Sequence, residues 1–231
     1  MHAPLLLLDL SSALYVGLWD GSRVAASRIR PQGTRGENAH ALIDECLAEA
    51  GMAPRDISAL GVGVGPGSFT GIRVCGALAQ GLAFARSLPL HPFSSLAAVA
   101  TCLPSGPVPG VSAIAANAGK WYVRAQDGEE ALLGTDALLA LAGPAAGADA
   151  ARAVLAVSGD VPERDRLAGA FASILSLEVH VDFARLAALA AASAPVPEGT
   201  LRPNYLAASA AEDKLKAGLL GVRAARPETS P

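Results

Sequence analysis

The chain has 231 residues, 52% of them hydrophobic and 17% charged, which marks a globular protein with an ample core and excludes a disordered one. Its formal net charge of −3 argues against a protein that grips nucleic acid unaided, since such binding rests on neutralising phosphates. No stretch reaches the roughly 18 consecutive apolar residues that a spanning helix needs.

The N-terminus, MHAPLLLLDLSSALYVGLWDG, lacks the basic start of a secretory signal, and Asp9 interrupts its apolar run, so a strand is predicted over Leu5 to Leu8. After a turn at Ser11-Ser12, Leu14 to Trp19 read as a second strand, and Asp20-Gly21 is a hairpin signal leading into Arg23 to Ile29. Arg23, Arg28, Arg30 and Arg35 form a local basic cluster, read as a solvated strand edge and loop. A loop over 31–36 precedes a helix capped by Asn38 and ended by Gly51, with Ala39, Leu42, Ile43, Cys46, Leu47 and Ala50 at helical spacing.

Ala59 to Val64 predict a buried strand parallel to the first, because a helix connects the two. A second helix runs from about Gly71 to Arg86, with Arg73 and Gln80 as the polar side chains of its interior. A helix apolar nearly all round needs cover on several sides, and Ala77, Gly81 and Ala85, four apart, let another helix approach closely. The run PSGPVPG over 104–110 is the clearest boundary. Beyond it, strands are predicted at Val111 to Ala116, Trp121 to Ala125, Ala153 to Val157 and Val179 to Val181. A helix capped by Thr135 runs to Leu141, another covers Phe183 to Ala192, and a mixed-charge helix and a disordered tail follow Leu206. Each half opens with strands and then alternates with helices, which suggests two related α/β lobes.

The stretch GVGVGPGSFTGIR, residues 61–73, joins a strand to a helix through glycines, the general recipe for an anion site. It is not a P-loop, because Ile72-Arg73 stands where Lys and Ser or Thr are needed. Nor is it the dinucleotide fingerprint, because Thr70 holds the place of the third glycine. Two readings stay open on residue chemistry alone. Ser68, Thr70 and Arg73 contact a phosphate or carboxylate, or the loop is a purely structural turn.

The segment GPGSFTGIRVCGALAQGLA closely resembles the signature of the TsaB (YeaZ) family. The resemblance extends to LLLLDLSSALYVGLWDG, to the helix over 38–50 with His40, to PLHPFSSLAAVA, and faintly to RPNYL. It implies a two-lobed actin-like (RNase H-like) ATPase fold, each lobe a mixed α/β sheet with flanking helices and the second lobe reduced. The lobes are expected at 1–103 and 104–201, with a segment over 202–231 packing back. In that superfold the first hairpin faces the nucleotide phosphates across a cleft. The candidate anion or cleft contacts are therefore Asp9, Ser11, Gly65, Gly67, Ser68, Thr70, Gly71 and Arg73.

The inventory for catalysis is thin. Asp9 stands where a metal-facing carboxylate belongs, but its neighbour is Leu10, where the family usually has Thr, leaving Ser11 or Ser12 as substitutes. The catalytic paralogue TsaD binds its metal through histidines four apart on a helix, and His2, His40, His91 and His180 do not have that spacing. Ala115 and Asn117 stand where relatives tend to carry Asp and Arg, so a second-lobe carboxylate is not found. Ser68 has no assigned base, which leaves a protease reading without support. Cys46, Cys75 and Cys102 show neither metal spacing nor a disulfide framework, and a reduced, cytoplasmic protein is expected.

The resemblance implies a non-catalytic scaffold or activator subunit, without catalytic or metal-binding residues of its own. Its complex transfers threonylcarbamoyl to adenosine 37 of tRNAs reading ANN codons. TsaD is the implied heterodimer partner and the ATPase TsaE a third component; a homodimer forms in isolation, and tRNA and ATP or ADP with Mg are met only through the complex. The expected partner face is His40, Ile43, Leu47, Val74, Ala77, Leu78, Gly81 and Ala85. The alternatives are a stand-alone ATP-dependent small-molecule kinase of the same superfold, and a dimerisation module unconnected with RNA.

Overall fold

The computed structural model describes residues 4–30, 38–106, 108–143 and 152–206. His2, Arg35, the expected loop over 31–36, the mixed-charge helix and the tail lie outside the described residues. The chain forms β1 (Leu5–Asp9), β2 (Leu14–Trp19), β3 (Val24–Arg30), α1 (Ala39–Ala50), β4 (Ala59–Gly63), α2 (Phe69–Arg86), β5 (Leu90–Phe93) and α3 (Ser95–Ala100). There follow β6 (Gly110–Ala115), β7 (Lys120–Arg124), β8 (Glu130–Gly134), α4 (Thr135–Ala140), β9 (Val154–Ser158), α5 (Arg164–Ala170), β10 (Ser173–Ser176), α6 (Leu177–His180) and α7 (Phe183–Ala192).

The strands make two five-stranded mixed sheets with the same internal order, β3-β2-β1-β4-β5 and β8-β7-β6-β9-β10. In each, the first three strands are antiparallel neighbours, and the helical crossover returns the fourth parallel to the first. The duplication extends to residue register. Asp9 pairs with Tyr15 as Ala115 pairs with Trp121, and Leu8 pairs with Val62 as Ile114 pairs with Ser158. The two related α/β lobes expected from sequence are therefore present, with the architecture of an actin-like fold.

β1 is buried on both faces, as a central strand must be when helices and a second lobe flank it. With side chains alternating, Leu6 and Leu8 join Leu42, Ile43, Cys46 and Leu47 of α1 and Cys75, Ala79 and Ala83 of α2. Leu5 and Leu7 face the opposite way, into a core shared with Leu96 and Val99 of α3, Phe183, Leu186 and Ala190 of α7, and Ile114 and Ala156 of the second sheet. A third core lies behind the second sheet, around Trp121, Leu138, Leu155, Leu167 and Phe171. Residues 183–192 were expected in the second lobe, yet α7 packs on the inner face of the first sheet.

Two expectations are corrected. The strand predicted at Val179 to Val181 is instead Ser173–Ser176, which pairs with β9 from Ser173↔Val154 to Ser176↔Val157; the next residues form the turn of α6, leaving Val179 75% exposed. The β-branched valines signalled a strand, but the partner strand sets the register. Asn38 holds the expected N-cap position of α1, without a side-chain cap bond. Thr135 does not cap α4 but is its first residue. Its hydroxyl donates to the Glu163 carboxylate at 2.8 Å and accepts from Trp121 Nε1 at 3.2 Å. The arginine cluster behaves as a solvated edge in its described members: Arg28 pairs with Glu45 and Glu49 of α1, and Arg23 with Asp20.

Candidate functional site

The glycine loop closes against the first hairpin along its inner side, with Ser68 and Thr70 left exposed on its outer side. Ser68 N–H donates to the Ser11 carbonyl at 2.6 Å, Gly65 N–H to Ser95 Oγ at 3.0 Å, and Gly71 N–H to Ser68 Oγ at 3.2 Å, where Ser68 caps α2. The approach is close enough to demand glycine. A Cβ on Gly71 would stand 1.9 Å from the Leu10 carbonyl oxygen, and one on Gly67 2.4 Å from that of Ser11. Anion cradles need free N–H groups converging on one point. Here donors at three loop positions are already engaged, and hairpin carbonyls lie against the loop.

Asp9 and Ser11 are fully buried behind that contact. Asp9 accepts from the Ser11 amide at 2.7 Å and from the Tyr15 hydroxyl at 3.3 Å. Burial raises its carboxyl above the usual 3.8, opposed in part by hydrogen bonds from Ser95, the Ser11 amide and Tyr15. Of the other expected contacts, Gly65 is buried, Gly67 and Gly71 are half-buried, and Ser68, Thr70 and Arg73 are exposed. Arg73 is drawn sideways: its guanidinium sits 3.8 Å over the Phe69 ring, and its Nε lies 3.4 Å from the Tyr205 hydroxyl.

The matched registers place Ala115 in the second sheet where Asp9 stands in the first, and Gly159 where Gly63 stands. Asn117 is exposed in the β6–β7 turn. The structure does bring one carboxylate to the end of β9 that sequence reading missed. Glu178 accepts from Gly159 N–H at 2.9 Å, from Ser158 Oγ at 3.2 Å, and from Ser176 Oγ. It lies on α6, the turn that was misread as strand, so its proximity to β9 had no signal in the sequence. Its hydrogen bonds tie strand ends together.

His40 is exposed on α1, His180 is exposed, and buried His91 donates through Nδ1 to the Ser193 carbonyl at 3.0 Å. Among the described residues, no three His, Cys, Asp or Glu side chains gather as a metal-ligand set. The three cysteines are buried and free. Burial pushes the Cys46 thiol up to about 11 and that of Cys102 up to about 12. The loop donors at Gly65, Ser68 and Gly71 are engaged, Asp9 is buried, and an alanine, Ala115, stands at the equivalent register position of the second sheet.

α2 presents its other side to solvent. Ile72, Cys75, Ala79 and Ala83 point inward, while Ala77, Gly81, Phe84 and Ala85 are exposed, Phe84 by 77%. Val74 and Leu78 are half-buried, whereas Ile43 and Leu47 are buried at 7% and 4% and reach the surface only as lining of a groove. That groove, about 140 Å³, runs between α1 and α2 and also includes His40, Leu78 and Leu82. Phe84 was not singled out from sequence, although it follows Ala77 and Gly81 at the i, i+4, i+7 spacing of one helical face. On the neighbouring side of α2, a cleft of about 250 Å³ is bounded by Arg73, Gly76, Gln80, Leu201, Pro203 and Tyr205.

The profile of the family described as TsaD, tRNA N6-adenosine threonylcarbamoyltransferase, matches residues 35–217. The tRNA threonylcarbamoyladenosine biosynthesis protein TsaB of Haemophilus influenzae is 52% identical over 59 residues, 26% of this chain and 25% of the relative. TsaB of Escherichia coli is 36% identical over 91 residues, 39% of each protein. The matches thus span between a quarter and two fifths of the relatives' lengths. YeaZ from Pseudomonas aeruginosa superposes with a TM-score of 0.69 at 27% identity, covering 88% of this chain and 100% of that one. Among the described residues, no helix is long and apolar enough to cross a membrane. The two duplicated lobes, the glycine loop locked on its hairpin and these likenesses converge: the chain belongs to the tRNA N6-adenosine threonylcarbamoyltransferase family, on its TsaB/YeaZ side.

Proposed function

We propose that the chain is a non-catalytic scaffold and activator subunit in the formation of N6-threonylcarbamoyladenosine at position 37 of ANN-decoding tRNAs. It pairs with TsaD through the exposed face of α2 and the α1–α2 groove, and with a second copy of itself when TsaD is absent. TsaE joins the heterodimer, tRNA is met through the complex, and the assembly works in the cytoplasm. The observation that carries this reading is the α2 surface: exposed Ala77, Gly81, Phe84 and Ala85 beside an apolar groove form a patch that a helix pair from a partner would cover. The site supports the non-catalytic part, because three of the loop's donors are engaged internally and Ala115 holds in the second sheet the register position that buried Asp9 holds in the first.

The deciding experiment substitutes Gly81→Arg. Among the described residues a Cβ on Gly81 meets nothing within 4 Å, so the arginine is expected to leave the fold intact while placing charge in the middle of the face. The variant is expected to remain folded by circular dichroism, to run as a monomer on a sizing column, and to fail to capture TsaD. Nucleoside mass spectrometry on a deletion strain then reads the consequence: the unaltered chain restores threonylcarbamoyladenosine and the variant does not. Retention of the complex by Gly81→Arg, or ATP turnover by the chain alone, overturns the proposal.

A further inference from the structure

The last described segment, 193–206, returns from α7 across the first lobe and is fastened at successive points. Val196 pairs with Leu90 at the edge of β5, exchanging both backbone hydrogen bonds at 2.8 and 3.1 Å. Gly199 N–H donates to Gln80 Oε1 of α2 at 3.1 Å. Asn204 N–H donates to the Val64 carbonyl at 2.8 Å, at the root of the glycine loop, and Tyr205 packs on Phe69 with ring centroids 5.1 Å apart. Leu201, Pro203 and Tyr205 thereby form one wall of the 250 Å³ cleft along α2. Every one of these contacts is to the first lobe.

One contact of this strap is not. Asn204 Nδ2 donates at 3.1 Å to Glu130 Oε2, on the β8 edge strand of the second lobe. The other oxygen of the same carboxylate accepts from Arg124 of β7 at 3.1 Å and from the Ser94 hydroxyl, which also caps α3. The Glu130 side chain is 13% exposed, so these charge-assisted bonds are shielded from most of the solvent. A single carboxylate thus joins the second lobe, the junction of β5 with α3, and the strap lying on the glycine loop.

We propose that Glu130 is an interlobe latch: it holds the 199–206 strap down on the glycine loop and ties strap position to the relation between the two lobes. With the latch made, the strap stays seated and the cleft along α2 keeps the shape bounded by Tyr205 and Pro203. With the latch broken, the strap lifts and the cleft widens toward the loop, while the first sheet beneath is unaffected. The inference concerns the chain by itself and does not depend on the proposed partner.

Removing the carboxylate should not unfold the protein, because the Arg124 charge it leaves behind is 30% exposed to solvent. Arg124 retains the Gly128 carbonyl at 2.9 Å, and Ser94 retains its cap on the Leu96 and Ala97 amides. Amide hydrogen exchange on the full chain is therefore the test, comparing Glu130→Ala, Glu130→Gln and Asn204→Ala. Glu130→Ala is expected to speed exchange about tenfold at Asn204, whose amide is bonded to the Val64 carbonyl, the loss of one charge-assisted hydrogen bond, with the β1 amides unchanged. Asn204→Ala should reproduce the effect at the strap. Glu130→Gln, which keeps an oxygen for Ser94, should fall between. Unchanged exchange at Asn204 in Glu130→Ala overturns the latch, and so does acceleration spread evenly through β1, which would make Glu130 a general stabiliser.

Discussion

Asp9 and Gly63 face one another across β1 and β4 with no space for another atom: a Cβ on Gly63 would stand 2.1 Å from Cγ of Asp9. The carboxyl cannot easily yield, because it is fully buried and held by the Ser11 amide and Tyr15. Gly63→Ala therefore displaces either a buried carboxyl or a central strand, and is expected to cost about 1–3 kcal/mol. Urea unfolding at neutral pH measures it; an unmoved midpoint would show that the contact is looser than described.

The same carboxyl gives stability a pH dependence of known sign. Burial raises the Asp9 pKa above its ordinary 3.8, so the folded chain keeps a proton that the unfolded chain releases first. The stabilisation from that proton is complete below about 3.8 and is lost as pH rises through the folded value. Asp9→Asn keeps the shape without the titration. Its stability advantage over the unaltered chain should be least at pH 4 or below, grow with rising pH, and level off once the carboxyl is ionised. An advantage that instead shrinks with rising pH would reverse the assignment.

Much of this was legible because local chemistry and global packing agree in the first lobe. The apolar run at Leu5, the turn at Asp20-Gly21, where the Asp20 carboxylate accepts the Ser22 and Arg23 amides, and the periodicity of α1 each specify their own element. The second lobe was harder to read. β10 is Ser173–Ser176, two serines around Ile174 and Leu175, and is a strand only because β9 lies beside it. The glycine loop was located correctly while its role stayed open, since sequence shows that glycine is present and not what approaches it. Here what approaches is the chain's own hairpin, through Leu10 and Ser11. Glu130 and Asn204, 74 positions apart, had no local signal at all.

The β6–β7 turn carries an avoidable strain. Ala118 adopts φ +58° and Gly119 φ +66°, the left-handed pair that closes a tight hairpin, with Ala116 N–H bonded to the Lys120 carbonyl at 2.8 Å. Alanine is unfavourable there by about 1–2 kcal/mol, whereas asparagine tolerates the conformation. Because Ala118 is exposed, Ala118→Asn meets no packing penalty and should stabilise the chain by about 1 kcal/mol. Calorimetry reads this as a raised Tm. A lowered Tm would mean that the turn relaxes away from the left-handed region.

Gly81 separates what the lone chain prefers from what an assembly prefers. It lies in the interior of α2, exposed, and no described residue comes within 4 Å of where a Cβ would be. Glycine inside a helix is worse than alanine by about 1 kcal/mol, so Gly81→Ala should raise the Tm of the isolated chain. On the proposed pairing face the same methyl has the opposite effect. Ala77, Gly81 and Ala85 are small at four-residue spacing, and a partner helix seated on them approaches most closely at the glycine. The substitution should therefore weaken pairing, with itself and with TsaD, while strengthening the fold. Sedimentation velocity across a dilution series tests the pairing, and thermal unfolding at low concentration tests the fold. Higher Tm with unchanged association would remove Gly81 from the interface; a lower Tm would mean that this stretch of α2 is already covered within one chain.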